Sequence, residues 1–199
     1  MTTSIVIAKY CEDISWVDNL ENNTKVYIYT KNGETYKDHI YANIKLPNIG
    51  RESHTYLYHI INNYNDLTDI IIFTQGQYEA HVNDIKDLYH KINDFQSIPY
   101  PREKDFRIME YGTILIPNKD NFTLDQWLKH YNIENNPEKY NYKVKYGACF
   151  STTKQNILSR SLSFYQELIK QLDANNLEIG HFFERAWYFI FNVHKINIL

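Results

Sequence analysis

Two short runs constrain this chain more than anything else in it: Ser4 to Ala8, SIVIA, and Asp69 to Phe73, DIIIF. Neither alternates apolar with polar residues, so neither suits a strand with one wet face. Both suit strands buried on two sides, the condition of central strands in a parallel sheet covered by helices. The first run stops abruptly at Lys9-Tyr10-Cys11-Glu12-Asp13, and a helical pattern follows through Ile14, Trp16, Val17 and Leu20. Lys25 to Thr30, KVYIYT, is a second strand, closed by the turn signal Lys31-Asn32-Gly33. Two strands separated by a short helix make a βαβ unit, whose crossover is right-handed in nearly all cases. The expected fold class is α/β, a mostly parallel sheet flanked by helices.

Leu46 to Tyr64, LPNIGRESHTYLYHIINNY, concentrates more unusual chemistry than any other stretch. Pro47, Asn48 and Gly50 break the chain, and Leu57, Ile60, Ile61 and Tyr64 then recur at the spacing of one buried helix face. A loop therefore runs into a helix. Gly50 lets backbone approach a ligand, and the free N–H groups of the first turn suit a phosphate or carboxylate. Arg51, Glu52, His54 and Thr55 follow as side chains expected to reach that volume. A solvated, capped helix start is the alternative reading of the same residues.

Asp69 to Phe73 runs directly into Thr74-Gln75-Gly76-Gln77, and a helix with Val82, Ile85, Tyr89 and Ile92 on its apolar face is expected next. Ligands in open α/β sheets bind at the carboxyl ends of strands, so Lys9 to Asp13 and Thr74 to His81 are expected to share a rim. Between Pro99 and Lys119 the pattern weakens to a surface loop with a strand at Thr113 to Ile116. Thr123 and Gln126 form a capping box for a short helix through Trp127 and Leu128. Tyr146 to Ser151 reads as a strand ending in a polar turn, with Thr152 or Thr153 capping the next helix. A longer helix follows, with Leu162, Tyr165, Leu168, Ile169 and Leu172 on one side. An aromatic helix over 180–191 then places His181, Glu184 and Arg185 within one turn. No repeat or long linker interrupts the chain, so a single domain over 1–199 is expected.

A chain of 199 residues, 43% hydrophobic and 23% charged, has globular composition and can bury one sizeable core. Its net charge of -3 gives no general attraction to nucleic acid or to an anionic membrane, so an anionic ligand must be bound locally. Cys11 and Cys149 lack disulfide or zinc spacing and read as reduced thiols of a cytoplasmic protein. No stretch approaches the ~20 apolar residues of a membrane span.

Glu184 and Arg185 are charges on a helix that otherwise looks buried, which makes them either an edge ion pair or a carboxylate facing a pocket, its pKa raised by burial into the range of a general base. His54 and His81 are joined by no metal-binding pattern. The absence of G-x-S-x-G, of a G-x-x-x-x-G-K-[ST] loop and of G-x-G-x-x-G argues against a serine hydrolase, ordinary nucleotide hydrolysis and dinucleotide redox chemistry.

IVIAKYCEDISWV, LPNIGRESHTYLYHIINNYNDLTDIIIFTQG, YGACFSTTKQNI and GHFFERAWYFIF, in this order, resemble a small domain-of-unknown-function family (number three-four-three-one) of viral and fungal type. More loosely, the chain is similar to small virus-encoded and capsule-type glycosyltransferases with a GT-A-like, Rossmann-like fold. The resemblance implies transfer of a sugar from a nucleotide-sugar donor to a glycan or small hydroxyl acceptor. It puts Ala8, Lys9, Tyr10, Glu12 and Asp13 beside the nucleobase, and Asn48, Gly50, Arg51, Glu52, His54, Thr55, Gln75 and Gly76 around the rest of the donor. Gly147, Phe150, His181 and Trp187 fall on the acceptor side. Glu184, or in its place His81, is the base, and Arg51 and Arg185 offset charge on the departing phosphate; a host-cytoplasmic location is implied if the source is viral.

The chain departs from the commoner GT-A pattern after Phe73. Thr74-Gln75-Gly76-Gln77 stands where Asp-x-Asp usually holds a divalent ion, and glutamine amides cannot neutralise Mg²⁺ or Mn²⁺ as two carboxylates do. Two outcomes are open: a transferase that works without such a metal, through Arg51, Lys9 and helix N–H groups, or a non-catalytic sugar- or nucleotide-binding module of the same fold. A metal-dependent phosphoesterase using His54 and His81 is a third.

Overall fold

The structure is a computed structural model that describes residues 1–37, 40–98, 122–136, 142–173 and 179–196. The loop and strand expected within 99–119 lie outside these residues. Five strands form the main sheet: β1 (Thr3–Lys9), β2 (Thr24–Thr30), β3 (Ala42–Lys45), β4 (Ile70–Gln75) and β7 (Phe150–Thr153), in the order β3-β2-β1-β4-β7. The first four are mutually parallel, and β7 runs antiparallel to β4. The sheet is thus mostly parallel, and the chain is α/β. β5 (Gln96–Ile98) and β6 (Tyr142–Val144) make a separate antiparallel pair.

The two diagnostic runs are buried on both faces, and their side chains divide by parity. Val6, Ala8, Ile71 and Phe73 point into one apolar cluster, while Ile5, Ile7, Ile70 and Ile72 point into another on the opposite face. The larger cluster is covered by α1 (Arg51–Asn63), α5 (Leu162–Ile169) and α6 (Ile179–Ile190). At its centre Tyr56, Phe73, Phe150, Trp187 and Phe191 pack ring against ring, with Tyr56 to Phe73 at 4.9 Å and Trp187 to Phe191 at 5.4 Å between centroids. Each such ring contributes roughly 1.5–3 kcal/mol by leaving water, so this cluster dominates the stability of that face.

Three expected elements differ. The helix through Ile14 to Leu20 is a single 3₁₀ turn, Ser15–Asn19, entered where Asp13 Oδ1 accepts the Ser15 N–H at 2.9 Å. The helix over Val82 to Ile92 is reduced to a 3₁₀ turn at Tyr78–Ala80 and the one-turn α2 (Asp87–His90). Asp84 causes the break by accepting the Lys86 N–H at 2.9 Å, an Asx turn that competes with helix hydrogen bonding. The strand expected from Tyr146 begins only at Phe150, because Gly147 (φ 75°) and Ala148 (φ 50°) turn the chain in left-handed backbone first.

The helix caps follow the expected chemistry. Thr123 and Gln126 form the reciprocal box that opens α3 (Leu124–His130), and Thr153 accepts the Asn156 N–H to open α4 (Lys154–Leu158). The last described element is α7 (Val193–Ile196).

Candidate functional site

The strand order reverses direction about β1, so the topological switch point lies between β1 and β4 at their carboxyl ends. There the Gly76 N–H donates to the Ala8 carbonyl at 3.0 Å, and Trp16 Nε1 donates to the Gly76 carbonyl at 2.9 Å. The Glu12 carboxylate accepts the Tyr10 N–H at 2.6 Å and lies so close over Gly76 that a Cβ there would meet its oxygen at 2.8 Å. Tyr10 is about half exposed, and Asp13 is exposed but spent on Ser15. Lys9 is buried, its ammonium on the Tyr10 carbonyl at 3.3 Å and the Glu34 carboxylate at 3.6 Å.

Next to this rim stands the entry to α1. Gly50 (φ 58°) and Arg51 (φ 50°) both take left-handed backbone, a conformation that costs a non-glycine residue roughly 1–2 kcal/mol, and Asn48 is exposed beside them. Lys31, the residue after β2, donates to the carbonyls of Ile49 and Arg51 and so ties two strand ends to one helix start. Burial pulls the Lys31 ammonium down to about 8, with Glu52 opposing the shift. Burial also pushes the Glu52 carboxyl up, against the pull of Arg51, whose Nε is 3.9 Å away.

The expectation that Arg51, Glu52, His54 and Thr55 share one volume is corrected here. A helix turns once in 3.6 residues, so consecutive side chains cannot all face one ligand. Thr55 is fully buried, and His54 is 8% exposed with its ring against Tyr58. Arg51 alone of the four is exposed, and Glu52 is largely buried beneath it.

The third part of the site is a hub at Gly147. Its N–H donates to Glu184 Oε1, and its carbonyl accepts from Gln75 Nε2 at 2.7 Å. The imidazole of His81 lies directly on its Cα, where a Cβ would fall 2.1 Å from the ring. Tyr56, from the middle of α1, anchors the turn by donating to the Ala148 carbonyl at 3.0 Å. His81 also lines a cavity of about 210 Å³, together with Asn83, Asp87, Lys91, Lys145 and Phe150.

Glu184 Oε2 faces His181 Nδ1 at 3.8 Å and Arg185 Nη1 at 3.9 Å. Arg51 reaches across from α1 to donate to His181 Nε2 at 3.3 Å. Arg51, His181, Glu184 and Gly147 therefore form one continuous chain of polar contacts from α1 through α6 to the end of the sheet. Burial alone would raise the Glu184 carboxyl, but His181, the Gly147 N–H and Arg185 outweigh it and hold it below the usual range. The expectation of a Glu184 raised toward neutrality is therefore corrected: it is an ionised carboxylate.

Two further assignments change. Trp187 is fully buried against Tyr56, Phe150, Phe183 and Phe191, where no acceptor can touch it. Arg185 is 5% exposed and donates to the His181 carbonyl at 3.0 Å, so it fixes the first turn of α6 and does not face a departing phosphate. Lys31, which ties the end of β2 to the entry of α1, has no place among the site residues expected from the sequence. The strand-end rule that selects Lys9 and Gln75 selects it as well, since it follows Thr30 directly.

The divalent-ion option finds no fit at the position of the missing Asp-x-Asp, where the Gln75 amide is committed to the Gly147 carbonyl. Among the described residues no group of three His, Cys, Asp or Glu side chains converges as metal ligands. Cys11 is exposed, Cys149 is buried, and both are free thiols. Among the described residues no helix is long and apolar enough to cross a membrane.

No curated protein and no solved structure matches the chain. Gly147 and α6 lie beyond the part of the chain that a family model covers, whereas the switch point, Lys31, the entry to α1 and His81 lie within it. Residues 5–102 match the model described as "Protein of unknown function (DUF3431)", which confirms for that segment the domain-of-unknown-function family that its motifs resemble.

Proposed function

We propose that this chain is a glycosyltransferase of GT-A-like fold that moves a sugar from a nucleotide-sugar donor to a hydroxyl acceptor without an Asp-x-Asp-bound metal. The observation that carries this reading is the chain of contacts Arg51, His181, Glu184, Gly147 at the carboxyl edge of a parallel sheet, next to the switch point. The nucleobase side of the donor lies against Tyr10 and Glu12, and the diphosphate meets Arg51 at the α1 N-terminus. The acceptor oxygen gives its proton to the Glu184–His181 pair and bonds to the anomeric carbon. The bond from that carbon to the phosphate oxygen breaks, and its electron pair leaves with the nucleoside diphosphate, whose charge Arg51 offsets.

A binding module of the same fold is favoured by one observation, the commitment of Gln75 to the Gly147 carbonyl where a metal-binding carboxylate would otherwise stand. Incubation with a panel of UDP- and GDP-sugars, with and without EDTA, separates the two. Release of nucleoside diphosphate that survives chelation supports the transferase. Diphosphate binding without turnover on any donor overturns it in favour of the module.

A further inference from the structure

We propose that Arg51 and His181 form an anion-operated proton latch: a diphosphate bound at the α1 N-terminus takes up the Arg51 guanidinium, and the freed Nε2 of His181 accepts the proton of the second substrate. This deepens the transferase reading and rests on it. A guanidinium can only donate, so its contact with His181 Nε2 at 3.3 Å requires a lone pair there and puts the imidazole proton on Nδ1. That nitrogen faces the ionised Glu184, the arrangement in which a carboxylate orients a histidine base. The imidazole is thus oriented with its proton toward the Glu184 carboxylate 3.8 Å away, and its basic atom is occupied by a cation.

As long as Arg51 stays in place, protonating Nε2 would set two positive charges 3.3 Å apart. The charged groups around the imidazole are Arg51 and Glu52 from α1 and Glu184 and Arg185 from α6. Of these, Arg51 alone contacts Nε2, and it is also the exposed one of the two arginines, with 54% of its side chain open to solvent against 5% for Arg185. Gly180 leaves room for it: the Arg51 side chain crosses α6 where a Cβ at that position would lie 3.0 Å from its Cδ. A guanidinium binds a phosphate in a bidentate, charge-assisted way that a neutral imidazole cannot match, so a diphosphate draws Arg51 off His181. The proton acceptor is then released only when the donor is bound, which imposes an order of binding.

The test is a titration of the wild-type protein with inorganic pyrophosphate, following the imidazole ¹⁵N and ¹³C signals of His181, assigned through their loss in His181→Asn. The latch predicts that pyrophosphate moves the Nε2 signal of His181 as the Arg51 contact is lost, with Nδ1 moving less. In Arg51→Gln the Nε2 signal already lies at the shifted position without pyrophosphate, and pyrophosphate changes it little, while Arg51→Lys serves as a folding control. Pyrophosphate binding that leaves the His181 signals unmoved overturns the latch and leaves the transferase standing. Absence of pyrophosphate binding overturns both.

Discussion

Gly147 holds Glu184 by its backbone N–H and carries His81 on its Cα, so one left-handed residue positions two side chains from distant parts of the chain. An alanine there needs φ 75° and puts its Cβ 2.1 Å from the His81 ring. Gly147→Ala is expected to destabilise the fold by about 2–5 kcal/mol, the sum of the left-handed penalty and overpacking. Gly33, at φ 83° with nothing within 4 Å, provides the control, and Gly33→Ala should cost only about 1 kcal/mol. Urea unfolding of both variants measures the difference, and equal losses would show that the His81 contact is not fixed.

Glu184→Gln keeps an oxygen for the Gly147 N–H but removes the charge that faces His181. Donor turnover is expected to fall by a factor on the order of 10²–10⁴, with the thermal midpoint within a few degrees of wild type. Unchanged kcat in a well-folded variant would remove Glu184 from the chemistry.

Trp187 belongs to the core. Trp187→Ala should cost about 3–5 kcal/mol in denaturant unfolding, the range for truncating a buried aromatic, and leave the acceptor KM of the folded fraction unchanged. A raised KM with little loss of stability would return Trp187 to the acceptor side.

His59 sets a pH dependence that is independent of the site. It is 1% exposed, hydrogen-bonds the Tyr29 hydroxyl through Nδ1 at 2.8 Å, and is brought down to about 3 by burial and then by Lys25. The unfolded ring titrates near 6.5, so between these values the unfolded state holds more protons and acid favours unfolding. The contribution is complete above about pH 6.5 and is lost as pH falls toward 3. From pH 7 to 5 it amounts to about 2 kcal/mol, and His59→Gln should lose that much less over the interval. His54, brought down to about 4, keeps a residual slope in the variant. Identical slopes in the two proteins would contradict a buried neutral His59.

The sheet was legible in the sequence because two unalternating runs require cover on both faces, and burial by parity is the result. The rim at Ala8 and Gly76 followed from two strand ends alone. The hub was harder to read. Gly147 matters through a backbone angle and a neighbour 66 positions away, neither of which leaves a periodic signal. β3, four residues with exposed ends, lacks an apolar run, and Asp84 broke a helix whose apolar spacing was otherwise sound. The aromatic helix was correctly placed, yet its period could not say which of Glu184, Arg185 and Trp187 faces outward. Packing of α6 on Tyr56 and Phe150 decides that.

Isothermal titration calorimetry with nucleoside diphosphates, wild type beside Arg51→Ala, tests most directly whether this edge of the sheet holds a diphosphate. At least one diphosphate is expected to bind measurably, and its affinity to weaken roughly 10- to 100-fold in the variant by loss of charge-assisted hydrogen bonds. No heat with any diphosphate, or equal affinity in the two proteins, would contradict this expectation.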